Sequence, residues 1–126
     1  MNKAILITGP QGSGKTGLAR VLAEVVGCDN PGIRTTDARH MDACRFNEYL
    51  NTDVLIVEEC GEGFDWARAK RLITSNTVEV HEPEPMMYPR TVDTPALIFI
   101  AEEVPEALLH EHERHFIIIR LARGAV

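Results

Sequence analysis

"AILITGPQGSGKTGLARVLAEVVG", residues 4–27, decides how the rest of the chain is read. It opens on Ala4–Thr8, an apolar, β-rich run with no polar alternation, the pattern of a parallel strand covered on both faces. It closes on a helical stretch in which Leu18, Val21, Leu22, Val25 and Val26 recur at helical spacing and Gly27 supplies a stop. Between the two, Gly9, Gly14, Lys15 and Thr16 satisfy G-x-x-x-x-G-K-[ST]. A strand before and a helix after are the context that this pattern requires.

Each residue type in the loop has a physical task. The glycines let the backbone curl so that successive N–H groups point inward at phosphate oxygens. The start of the helix adds partial positive charge. Lys15 brings a full charge to the β- and γ-phosphates, and the Thr16 hydroxyl can ligand Mg²⁺. Gly9, Pro10, Gln11, Gly12, Ser13, Gly14, Lys15, Thr16 and Gly17 are therefore the expected seat of ATP and Mg²⁺.

Working outward, strands and helices alternate. "GIRTT" (Gly32–Thr36) reads as a short strand, and "MDACRFNEYL" (Met41–Leu50) as a helix with Asp37 or Asp42 near its start. "DVLIVEE" (Asp53–Glu59) is the clearest buried strand and ends in two acids. Glu58 is assigned to the metal, and Glu59 to orienting and deprotonating an attacking water. "DWARAKRLITS" (Asp65–Ser75) reads as a helix with Trp66, Ala69, Leu72 and Ile73 on one face. Arg68, Lys70 and Arg71 lie nearer its solvated side. "VEVHEPEPMMYPR" (Val78–Arg90) holds three prolines, which exclude a central strand and point to a hairpin or exposed loop. "ALIFIAEE" (Ala96–Glu103) is a second buried strand with acids at its end. Pro105 introduces a short helix, and "HFIIIRL" (His115–Leu121) closes the sheet.

Five strands with intervening helices predict an α/β fold: a three-layer α/β/α core with a five-stranded, mainly parallel sheet. The length of 126 residues and 44% hydrophobic content fit a single domain over residues 1–126. Ligands in such sheets sit at the carboxyl ends of the strands. Gly9–Thr16, Glu58 with Glu59, Glu102 with Glu103, and the region before His115 are all expected there.

The formal net charge of −6 excludes a generally basic, nucleic-acid-coating surface. Cys28, Cys44 and Cys60 form no C-x-x-C pair, which argues against a zinc ribbon or a disulfide framework. No apolar run reaches the roughly 20 residues of a membrane span. "MNKAILITG" runs straight into the loop without a signal peptide, so a cytoplasmic location is expected. His110, His112 and His115 alternate with acids in a pattern better read as an exposed helix than as a metal site.

In this order, the parts resemble the AAA+ ATPase core of superfamily 3 helicases, found in phage, plasmid and viral replication proteins. "GPQGSGKT" is similar to that family's Walker A loop and "VLIVEE" to its Walker B strand. "AKRLITSNTVEV" resembles its following helix and strand, "TPALIFIAEEVP" its sensor strand, and "HERHFIIIRL" its closing segment. The resemblance implies a catalytic set of Lys15, Glu59, Glu102 and Arg114. Glu102 would stand at the sensor position, where the family has Asn, and Arg114 would act as an arginine finger in a neighbouring subunit. It also implies a homo-oligomeric ring, and nucleic acid as a partner reached through further domains or chains. Two features depart from the family. Glu102 is a carboxylate, which cannot donate to a phosphate as an amide does. The segment before the sensor strand carries Glu79, Glu82 and Glu84 against His81 and Arg90, a poor grip for a phosphate backbone. A nucleotide-binding module without turnover, or a small-molecule kinase, remains as an alternative; the acid pair and the absence of an Arg-rich lid speak against the kinase.

Overall fold

The structure is a computed structural model, and it describes residues 4–27, 32–43, 47–61, 63–81, 89–109 and 115–122. The elements in chain order are β1 (Ala4–Thr8), α1 (Lys15–Val26), β2 (Ile33–Asp37), α2 (Ala38–Ala43), a 3₁₀ turn (Glu48–Leu50), β3 (Val54–Glu58), α3 (Trp66–Thr74), β4 (Thr77–Val80), β5 (Arg90–Asp93), β6 (Ala96–Ala101), α4 (Glu106–Leu109) and β7 (Phe116–Arg120). Five of the strands form one sheet in the order β2–β3–β6–β1–β7, parallel throughout. The remaining two, β4 and β5, form a separate antiparallel hairpin. This is the expected α/β core with its five-stranded sheet.

Why the central strands lack polar alternation follows from where their side chains go. On β3, Leu55 and Val57 enter one core while Val54 and Ile56 enter the other. On β6, Leu97, Phe99 and Ala101 face the first core, and Ile98 and Ile100 the second. A strand that is dry on both faces has no place for a polar residue.

The two cores are covered differently. The first holds Trp66, Ala69 and Ile73 of α3, Met41 of α2 and Leu50 of the 3₁₀ turn. The second is covered by α1 through Ala19 and Ala23, with Leu18 and Leu22 partly buried against it. Val21 and Val25, expected on the buried face, are instead 60% and 72% exposed. The buried stripe is rotated toward the two alanines, whose small side chains let the helix lie close to the sheet. Leucine spacing alone could not reveal that rotation.

Local chemistry sets several boundaries. The Asp65 carboxylate accepts from Arg68 N at 3.0 Å and caps α3, whose buried face is the expected one. Asp65→Ala is expected to cost about 1 kcal/mol, read from the urea midpoint. Asp37 likewise accepts from His40 N at 2.7 Å at the start of α2. The helix expected over Met41–Leu50 is instead the end of α2 and the 3₁₀ turn, with residues 44–46 outside the described residues. Asn47 ties that turn to the hairpin: its side chain donates to Glu79 O at 2.9 Å and accepts from His81 N at 2.6 Å. Arg68, expected nearer the solvated side of α3, donates to Met41 O at 2.9 Å and links α3 to α2. Cys60 is buried, and its thiol donates to Val57 O at 3.4 Å. Cys28 and Cys44 lie outside the described residues, as do Met86, Met87 and Tyr88. Among the described residues, no helix is long and apolar enough to cross a membrane.

Candidate functional site

The sheet topology creates the site. From β1 the chain passes over β6 and β3 to reach β2, and from β6 it later crosses β1 to reach β7. The carboxyl end of β1 is therefore a switch point, where an open α/β sheet leaves a crevice. The loop from Gly9 to Gly14 lies there and runs directly into α1.

The loop is held by its backbone. Gly9 N donates to Glu102 O at 3.1 Å, fastening the loop to the end of β6. Leu121 N donates to Thr8 O at 2.8 Å on the other side. A Cβ at Gly9 would stand 2.9 Å from Leu121 O, so only glycine fits at that crossing. Gly14 has φ 88, a left-handed conformation natural to glycine, and it is the N-cap of α1. With no side-chain cap and no acid in the first turn of α1, the amides of Gly14, Lys15, Thr16 and Gly17 have no partner within the helix. Such a terminus attracts anions. The Ser13 hydroxyl is also buried without a partner. The Lys15 ammonium folds back to donate to Gly9 O and, at 3.2 Å, to Pro10 O.

The acids arrive from the neighbouring strands. Glu58 is the last residue of β3, and its Oε1 accepts from the Thr16 hydroxyl at 3.0 Å. This bond joins the two residues assigned to the metal across 42 positions of sequence. Glu59 follows with φ 58, the only non-glycine residue at positive φ among the described residues. Backbone strain of this kind persists where the surroundings impose it and collects at functional positions. The turn continues with Gly61 N donating to Glu59 O and Cys60 N to Ile100 O, at 3.0 and 2.9 Å.

These groups surround a cavity of about 760 Å³, lined among others by Gln11, Lys15, Thr16, Arg39, Glu58 and Glu59. Glu102 and Glu103 line it from the end of β6. The volume is in the range of small-molecule sites. Its charged lining is Lys15 and Arg39 against four glutamates, so a polyanion gains from entering with a divalent cation. The Thr16 hydroxyl and the Glu58 carboxylate are hard oxygen donors, a fit to Mg²⁺. Among the described residues no group of three or more His, Cys, Asp or Glu is placed to hold a metal. Mg²⁺ here would depend on phosphate oxygens for the rest of its shell. A second cavity, of about 560 Å³, opens at the opposite end of the sheet around Arg34, Asp53 and Asp93.

The expected residues that the structure describes thus come together, with one addition. The region before His115, also expected at the carboxyl edge, lies outside the described residues. Ala4 N donates to His115 O at 2.8 Å, which puts His115 at the amino edge, where β7 starts beside β1. A parallel strand of five residues separates that edge from the loop by roughly 16 Å. Arg114 itself lies outside the described residues, with His110 and His112. The addition is Arg39. No motif marks it, because it reaches the cavity from α2 only after β2 has paired with β3.

An α/β domain with an anion-seeking loop at its switch point is the class that fold and site define. Among solved structures, the chain is similar to three apo structures of the C-terminal region of NrS-1. One covers 95% of this chain at 20% identity with a TM-score of 0.69. The others, at 20% identity and TM-scores of 0.66 and 0.69, each cover 94%. The likeness establishes a shared fold. This chain spans only 28–29% of the length of those neighbours. No protein-family model and no curated protein matches the chain.

Proposed function

We propose that the chain binds ATP with Mg²⁺ in the cavity at the end of β1 and hydrolyses it. The observation that carries this reading is the Thr16–Glu58 hydrogen bond, because it sets a hydroxyl from the glycine-rich loop against a carboxylate from the neighbouring strand. That pairing has little structural purpose at an exposed strand end and suits a cation beside phosphates. The amides of residues 14–17 and Lys15 would receive the phosphates, and Thr16 with Glu58 would hold Mg²⁺. When bound, the ion neutralises charge on the phosphate oxygens. Glu59, held in its strained turn, would orient the water and accept its proton.

The resemblance to superfamily 3 helicase cores extends the proposal to a minimal AAA+-like ATPase of a phage or mobile element. In that setting the chain would assemble into a ring, with Arg114 reaching a neighbour's site, and would act on nucleic acid through further domains or chains. One observation favours a second reading, a nucleotide-binding module with little turnover: Glu102 and Glu103 both line the cavity and repel phosphate charge.

Titration with a fluorescent ATP analogue, with and without Mg²⁺, tests the binding, and phosphate release tests the turnover. Lys15→Ala is expected to weaken ATP about fiftyfold, the worth of one charged hydrogen-bonding group. Wild type that binds no nucleotide at millimolar ATP·Mg²⁺ would sink the proposal. Binding without phosphate release would leave the second reading.

A further inference from the structure

The cavity holds one cation that the loop does not account for. Arg39 lines it from α2, on the side of Glu58. Its root is fixed: Asp37 pairs in register with Glu58, Ala38 is buried, and the Asp37 carboxylate holds His40 N. The side chain of Arg39 is exposed, and among the described residues it makes no hydrogen bond or ion pair, although four carboxylates line the same space.

Charge accounting gives that space a purpose. Lys15 and Arg39 face Glu58, Glu59, Glu102 and Glu103. The residue at the end of β6, Glu102, adds a negative charge where a donor to the γ-phosphate would help. Arg114 lies outside the described residues. Arg39 is the remaining arginine among the described residues on this cavity.

We propose that Arg39 is a catalytic residue acting in cis, its guanidinium meeting the γ-phosphate oxygens of the ATP bound in its own subunit. The proposal rests on the ATP-hydrolysing reading above and adds to it the source of the transition-state charge. In hydrolysis the water oxygen bonds to the γ-phosphorus as the bond to the β,γ-bridging oxygen breaks. One water proton passes to Glu59 and then to solvent, and ADP leaves with the bridging oxygen and its electron pair. Negative charge grows on the bridging and peripheral oxygens, and a planar, permanently charged fork suits it. A single subunit would then carry the full charge set.

Three measurements decide it. Arg39→Ala is expected to lower kcat about a hundredfold, as loss of one preorganised donor does, with ADP affinity unchanged. Arg39→Lys should recover part of the rate, since charge returns without the fork. Mixing Lys15→Ala with Arg39→Ala distinguishes cis from trans. If Arg39 serves its own subunit, the mixture stays as slow as its components. Recovery of activity on mixing would overturn the cis assignment. An Arg39→Ala protein turning over at the wild-type rate would overturn the role altogether, as would a wild type that binds ATP without hydrolysing it. A wild type that binds no ATP would instead remove the nucleotide reading on which the proposal stands.

Discussion

Glu59→Gly is expected to make the protein more stable and to stop it working. The residue stands at φ 58, where a side chain is strained and glycine is not. Releasing the strain should add about 1 kcal/mol, seen as a higher urea midpoint with an unchanged slope. The same change removes the carboxylate proposed to position and deprotonate water, a contribution of about a thousandfold in rate. Glu59→Gln separates the two effects, since it keeps the strain and loses the base. That variant should be as slow as Glu59→Gly and no more stable than wild type. A glutamate in a left-handed backbone conformation is unfavourable for folding, and the role proposed for it in turnover would account for its presence. If Glu59→Gly gains stability and hydrolyses ATP at the wild-type rate, Glu59 is a turn residue and the base must be sought elsewhere.

The loop and the residues placed by strand pairing were unequally visible in the sequence. The loop and its flanks were legible because they are local: glycines, Lys15 and Thr16 adjoin one another, and strand and helix periodicity surround them. The two buried strands were legible for a related reason, since VLIV and LIFI have no polar residue to place and each sends side chains into both cores. What sequence could not supply was anything created by pairing. Arg39 enters the cavity because Asp37 aligns with Glu58, a register with no sequence signature. The start of β7 follows from its parallel pairing with β1, which puts His115 beside Ala4 rather than beside the loop. The buried face of α1 depends on how closely Ala19 and Ala23 approach the sheet, and the valines that flank them carry the same hydrophobic signal outward.

Phe99→Ala is expected to cost about 3–5 kcal/mol, a large part of the roughly 5–15 kcal/mol that holds a domain folded. Phe99 is fully buried at the middle of β6, the central strand of the sheet, between Leu6 of β1 and Val57 of β3. Its ring meets Phe64, Trp66 and Phe116 with centroids 5.9, 5.6 and 5.9 Å apart, so one truncation strips contacts from α3, β7 and the turn before α3 together. Rings at such spacing add to the area they bury, and neighbours fixed in two strands and a helix cannot collapse into the gap. Ile117→Ala, at a position 51% exposed on the edge strand, should cost less than about 1 kcal/mol by the same urea titration. The weakened variant also reports on the site. Glu102 follows the end of β6, and its carbonyl holds Gly9 N, so the loop and the aromatic core share a strand. ATP·Mg²⁺ at a hundred times its Kd should therefore return about 2.7 kcal/mol to Phe99→Ala by binding only the folded form. The double variant Phe99→Ala with Lys15→Ala should regain far less. If nucleotide restores both variants equally, it is binding somewhere other than the loop at the end of β1.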